Sequence, residues 1–364
     1  MVTRFIHLSI LLVLLVTSTD GQPGKPAGGF EFNDSHFHLT NYIQEGTNIR
    51  DFLAIMGSRV GRVALFGIPL QQQWSYRIDG KRAPTYYLDT DAPLYYYSFT
   101  DAQIATAYQS LPKEQQARFD PMITGFNPTD MYAADHIRRV LETFPGVFSG
   151  IGEFSIHKEF VSAKVAGGIA SLQDPALDRL LDFAREVGLV VLIHNDIDTP
   201  FAKPGSRPAY LEPMTALLKH HPDTTIIWAH TGVGRVVRPI QAHIANLENL
   251  LRDPGLQHLY FDLSWDEVAK YAVASPEATR ITAGLVERYP DRFLFGTDVV
   301  APASESDYLK VYYQYRPLWN AISPVARDKV LKQNYERLFN DARQKVRKWE
   351  SAHRQQPGTH KLRP

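Results

Sequence analysis

Gly29-Phe30-Glu31-Phe32-Asn33-Asp34-Ser35-His36-Phe37-His38-Leu39 reads as a short β-strand that runs into a polar, histidine-bearing end. Residues two apart on a strand point to the same side. His36 and His38 therefore aim at one point, as two imidazole ligands of a single metal ion must. Asp34 falls in the same phase one step deeper, placed to accept a hydrogen bond from a ligand. A His-x-His pair on a surface strand has the same pattern, so the partners further along the chain decide its meaning.

Working outward, one pattern repeats. A short β-branched or aromatic run is followed by a polar loop and then by an amphipathic stretch. The runs are 30–36, 62–68, 119–125, 147–154, 189–194, 224–229, 258–263 and 293–296, which makes eight strands. Val190-Val191-Leu192-Ile193 is nearly pure apolar, as a parallel strand buried on both faces is. Helical periodicity falls at 132–143, 175–187, 213–220, 236–251 and 324–349, the last as one long helix or a broken pair. Strand–helix alternation predicts a parallel α/β architecture. Eight units fit a (β/α)8 TIM barrel better than an open doubly wound sheet. The open sheet would carry a glycine-rich phosphate turn after its first strand, and 37–41 has no glycine.

The interval 69–116 breaks the rhythm. It is long and carries Trp74, Tyr76, Tyr86, Tyr87, Tyr95, Tyr96 and Tyr97. In a barrel it is the loop after strand 2, either a lid or substrate wall or a packed surface excursion.

The remaining length divides simply. Residues 1–21 have Arg4, then an aliphatic run to Val16, then small polar residues, and read as a secretory signal peptide. An uncleaved anchor is the alternative. Residues 22–29 form a Gly/Pro-rich linker, 30–350 the barrel domain, and 351–364 a basic flexible tail. The expected location is thus outside the cytoplasm, periplasmic or extracellular, with no stable membrane anchor after signal cleavage. The 364 residues contain no cysteine, so stability must come from a large core and any metal site from His and carboxylates. Lys plus Arg and Asp plus Glu number 39 each, a balance that gives no field for nucleic acid. A small-molecule substrate is expected, and a homo-oligomer stays open.

Polar residues stand at the ends of the other strands. Strand four closes with Gly152-Glu153, strand five with His194-Asn195, strand six with His230-Thr231 and strand eight with Thr297-Asp298. Singly, each has a plain reading. Glu153 can bond backbone in a turn, His194 can be a satisfied core histidine, His230 can cap a helix, and Asp298 can cap a loop. Together they share one structural register, because barrel strand ends converge on one cavity. His and carboxylate ligands suit Zn²⁺ first, with Mn²⁺, Fe²⁺ or Ni²⁺ as alternatives. Such a set activates water near neutral pH, with a carboxylate beside it to move the proton. His157, Lys158 and Trp265 follow strands four and seven and are candidate substrate contacts.

Asp-x-His-x-His at 34–38, then Glu153, His194, His230 and Asp298 in order, resembles the amidohydrolase superfamily of metal-dependent barrel enzymes, and in particular its amidohydrolase 2 branch. The resemblance spans nearly the whole chain after the leader. With the leader taken as the export signal, it implies an exported metal-dependent hydrolase of an amide, ester, lactone or phosphoester bond, or alternatively a nonoxidative decarboxylase on the same barrel. It implies His36, His38, His194 and Asp298 as metal ligands, with Asp298 doubling as general base. His230 is a ligand of a second ion or the group that activates water or substrate. Glu153 stands where some relatives carry a carboxylated lysine, and either bridges two divalent ions or sits beside one.

Overall fold

The computed structural model describes residues 29–41, 44–68, 73–74, 88–89, 99–159, 170–203, 205–239 and 242–353. The expected leader, most of the linker, the end of the tail and much of the aromatic loop lie outside them. The eight expected strands are present: β1 Phe32–His38, β2 Val60–Phe66, β3 Phe119–Ile123, β4 Gly150–Ser155, β5 Val190–His194, β6 Ile226–Trp228, β7 Leu259–Leu263 and β8 Phe293–Phe295. A two-residue strand, β9 Val299–Val300, continues the line of β8.

The nine strands form one sheet in the order β8-β7-β6-β5-β4-β3-β2-β1-β9, with every pairing parallel. Because β9 follows β8 after three residues and pairs with β1, the sheet closes on itself. The seam is bonded: Ser35 Oγ donates to the Phe295 carbonyl at 2.9 Å, and the Asp298 N–H donates to the His36 carbonyl at 2.7 Å. Gly296 permits this approach. A Cβ there would stand 2.5 Å from His36 Cβ, inside contact distance. The architecture is the (β/α)8 barrel.

Local chemistry explains the helices. Asp174 caps Pro175–Val187 by accepting from the Ala176 N–H at 2.9 Å, and Gly188 ends the helix at φ 84°. Leu177, Leu180, Leu181 and Ala184 form its buried face. Asn334–Ala352, the last helix, closes the N-terminal end of the barrel. Its Tyr335, Leu338, Phe339 and Ala342 pack with Ala64, Met122, Leu192, Ile227 and Leu294 from the inner faces of the strands. Tyr335 also donates to the buried Asp120 at 2.8 Å, where Arg62 makes a two-pronged ion pair. The polar strand ends converge at the opposite, C-terminal end.

Two stretches differ from the sequence reading, and a third settles between its two alternatives. In the stretch 236–251, residues 236–239 are not helical and the described helix begins at His243. Pro239 drives the residue before it away from helical geometry. The 324–349 stretch is one run in which a π turn, Lys329–Gln333, links Pro324–Asp328 to the last helix. The 69–116 interval is not loop throughout, since Phe99–Gln109 and Lys113–Gln116 are helical, in keeping with the alanines at 102, 105 and 107. Its expected role as lid or wall falls largely outside the described residues.

Candidate metal centre

Six side chains meet at the C-terminal end of the barrel. His36 and His38 end β1, Glu153 lies in β4, and His194 is the last residue of β5. His230 and Asp298 sit just past β6 and β8, both with positive φ, 58° and 51°. Non-glycine residues adopt that geometry at a cost, and here it turns each side chain back over the barrel mouth. All six are at least nine-tenths buried apart from the rim of Asp298.

The carboxylates face the imidazoles directly. Asp298 Oδ1 lies 3.2 Å from His36 Nε2 and 3.1 Å from His38 Nε2. Glu153 Oε2 lies 3.7 and 3.6 Å from the same two nitrogens. The other oxygen, Oε1, is 2.7 Å from His194 Nδ1 and 3.7 Å from His230 Nε2. His36, His38, Glu153 and Asp298 thus form one group of potential ligand atoms, and Glu153, His194 and His230 a second that shares Glu153.

Outer partners fix which nitrogens face the centre. His38 Nδ1 is bonded to the Gly67 carbonyl at 3.2 Å, so its Nε2 points inward. His194 Nε2 lies 3.2 Å from Asp196 Oδ1, which leaves Nδ1 inward. His36 Nδ1 bonds Asp262 Oδ2 at 2.8 Å. Ser264 donates to Asp262 Oδ1 at 2.7 Å and accepts from His230 Nδ1 at 2.8 Å. Both His36 Nε2 and His230 Nε2 are then buried nitrogens without a hydrogen-bond partner. Buried polar atoms are rarely left so unless an unrecorded group meets them.

The charges fit a cation. Burial pushes the Asp298 carboxyl toward its neutral form, but His36, His38 and His230 outweigh it and hold it well below the ordinary range. Glu153 is likewise opposed by burial and held well below that range by Lys158, His194, His230 and His36. Burial lowers His230, which keeps its ring neutral. Burial also lowers His36, but Asp298 and Asp262 reverse the sign and raise it well above the usual imidazole value.

Of the candidate substrate contacts, Lys158 and Trp265 border the centre. Lys158 Nζ is 3.7 Å from Glu153 Oε1 and 5.8 Å from the centre of the Trp265 ring, which itself lies 5.1 Å from the His230 ring. His157 turns elsewhere. It stacks on Tyr210 at 3.8 Å, and burial lowers its pKa to about 4, so it is neutral at pH 7.

Asp34 does not bond a ligand side chain. It accepts from the His36 and Thr297 N–H groups, the Thr297 hydroxyl and the Tyr308 hydroxyl at 2.6–3.0 Å. Irregular register between Asp34 and Phe37 breaks the simple period-two phase. The carboxylate that orients His36 is Asp262, which sequence reasoning missed. Its signal was present: Tyr260, Asp262 and Ser264 alternate onto one face at the end of an apolar strand.

An amidohydrolase family model matches residues 34–340. The chain belongs to the amidohydrolase family. It is an enzyme, a metal-dependent hydrolase. No curated protein matches it by sequence. Solved amidohydrolase-type barrels share its fold. A candidate 2-pyrone-4,6-dicarboxylic acid hydrolase from Pseudomonas putida is 13% identical, with 86% of this chain and 98% of that one covered and a TM-score of 0.52. An amidohydrolase from Burkholderia multivorans with bound zinc is 12% identical, with 85% and 99% covered and a TM-score of 0.52. An uncharacterized TIM-barrel protein from Bordetella bronchiseptica is 16% identical, with 85% and 99% covered and a TM-score of 0.50. Among the described residues of this amidohydrolase, no helix is long and apolar enough to cross a membrane.

Proposed function

We propose that this chain is an exported hydrolase that cleaves an amide, ester, lactone or phosphoester bond of a small molecule with water activated at a divalent metal, zinc first. The observation that carries this reading is the pair of buried, unpartnered nitrogens, His36 Nε2 and His230 Nε2, facing two ionised carboxylates. That donor set fits a borderline dication. His36, His38, Glu153 and Asp298 would hold it, and His194 and His230 stand at the second face of Glu153. The chemistry such an ion supplies is a lowered pKa for water and polarisation of the oxygen of the scissile group.

The chain's own residues do the rest. Asp298 takes the proton of the attacking water and returns it to the leaving atom. Its Oδ2 lies 3.6 Å from His230 Nε2, which is unprotonated and orients that water as an acceptor. Lys158 and Trp265 border the substrate side, one offering N–H donors and the other a flat apolar face. The residue 1–21 leader supports export. N-terminal sequencing of the mature protein tests it and should find a start between Ser18 and Gln22.

Replacing Asp298 with Asn keeps the shape of the side chain and removes the base. Turnover of any hydrolysed ester, lactone, amide or phosphoester should fall by roughly 100-fold or more. Retained turnover would contradict the role of Asp298. Release of CO₂ from hydroxylated aromatic acids, with no hydrolysis in the screen, would replace the hydrolase reading by that of a decarboxylase.

A further inference from the structure

The two faces of Glu153 are not alike. Oε2 looks toward His36 and His38, with a second carboxylate, Asp298, 3.2 and 3.1 Å from their Nε2 atoms. Two carboxylates there can balance one dication. Oε1 looks toward His194 and His230, with Lys158 Nζ at 3.7 Å. At that face the same glutamate is shared, Asp298 reaches His230 Nε2 with Oδ2 at 3.6 Å, and an ammonium already stands against Glu153.

The lysine is not free to leave. Its side chain is 12% exposed, and its ammonium is held over the Trp265 ring. Among the described residues Glu153 is the carboxylate nearest its charge, and Asp298, Glu159 and Asp196 also face it. A dication between Glu153 Oε1, His194 and His230 would sit within a few ångströms of a fixed positive charge. Like charges at such range in a buried site oppose each other strongly.

Resting on the metal-centre reading above, we propose that Lys158 takes the place of a second ion. Its ammonium supplies the positive charge at the Glu153–His194–His230 face, and so limits the enzyme to one divalent metal, held by His36, His38, Glu153 and Asp298. An ammonium N–H then donates to the substrate oxygen that a second ion would have met. Lys158 is in this sense both the determinant of metal number and the electrophile of the vacant-metal face.

The test is metal stoichiometry of the full chain after loading with excess Zn²⁺ and desalting, read by elemental mass spectrometry, with circular dichroism to verify folding. Wild type and the charge-preserving Lys158→Arg should each hold about one zinc per chain, and Lys158→Met about two. Adding His194→Ala to Lys158→Met should bring the number back to about one, which places the extra ion at the second face. If Lys158→Met does not fold, Lys158→Gln is measured in its place. One zinc in both wild type and the neutral variant would overturn the role of Lys158 while leaving the metal centre standing. Two in wild type would do the same. None in wild type would instead remove the metal-centre reading on which the proposal rests.

Discussion

Asp262 Oδ2 lies 2.8 Å from His36 Nδ1, and the opposite oxygen of the same carboxylate accepts from the His230 N–H at 2.6 Å. Through Ser264, Oδ1 also sets the ring of His230. One buried carboxylate therefore orients two imidazoles from two different strands. Histidine ligands depend on such partners for tautomer and direction. Asp262→Asn has the same shape but can present N–H where an acceptor is needed. Zinc affinity should fall roughly 10–100-fold with the fold intact. A competition titration with a chelating dye reads this directly, and unchanged affinity would mean that His36 is held by packing alone.

Gly296 stands where the barrel closes. An added Cβ would lie 2.5 Å from His36 Cβ and 3.0 Å from His36 N, and neither can move without shifting β1. Gly296→Ala should cost about 1–3 kcal/mol in a urea melt. It should weaken metal binding as well, because the displaced residue is a ligand candidate. A variant with wild-type stability would show that the β8–β1 seam is looser than described.

Asp101 gives a pH signature independent of the metal centre. It is buried, and its Oδ1 accepts from the Thr124 and Gly125 N–H groups. Burial raises its pKa to about 7, the two N–H bonds only partly opposing. A carboxyl raised on folding contributes stability that is full below its unfolded value near 4 and is lost as pH rises through 7. Between these limits the change is up to about 4 kcal/mol. Asp101→Asn keeps an oxygen acceptor and does not titrate. Denaturant melts from pH 4 to 8 should show the wild-type loss over this window diminished in the variant. Parallel pH curves would contradict the assignment.

Much of this was legible in the sequence. The eight strands declare themselves because buried parallel strands are apolar on both faces, as Val190–His194 is. His36, His38, Glu153, His194, His230 and Asp298 are legible because each lies near or just past the C-terminal end of a strand, and closing the barrel alone brings such ends together. What was not legible depends on local irregularity or on contacts across the barrel. Asp34 shares the period of His36 in sequence, but irregular pairing of β1 and β2 sends it to Thr297 and Tyr308. Asp196 looks like a loop aspartate until its oxygen is found 3.2 Å from His194 Nε2. The tie from Asp262 to His36 spans 226 residues, and no spacing rule reaches that far.

His36, His38, Glu153 and Asp298 are proposed to hold a catalytic divalent metal. Anomalous diffraction at the zinc edge, from crystals of the full chain grown with Zn²⁺, tests it most directly. A strong peak is expected within bonding distance of His36 Nε2, His38 Nε2 and an Asp298 oxygen, and it should be lost in His38→Ala. Fully loaded crystals with no peak among those side chains would contradict it.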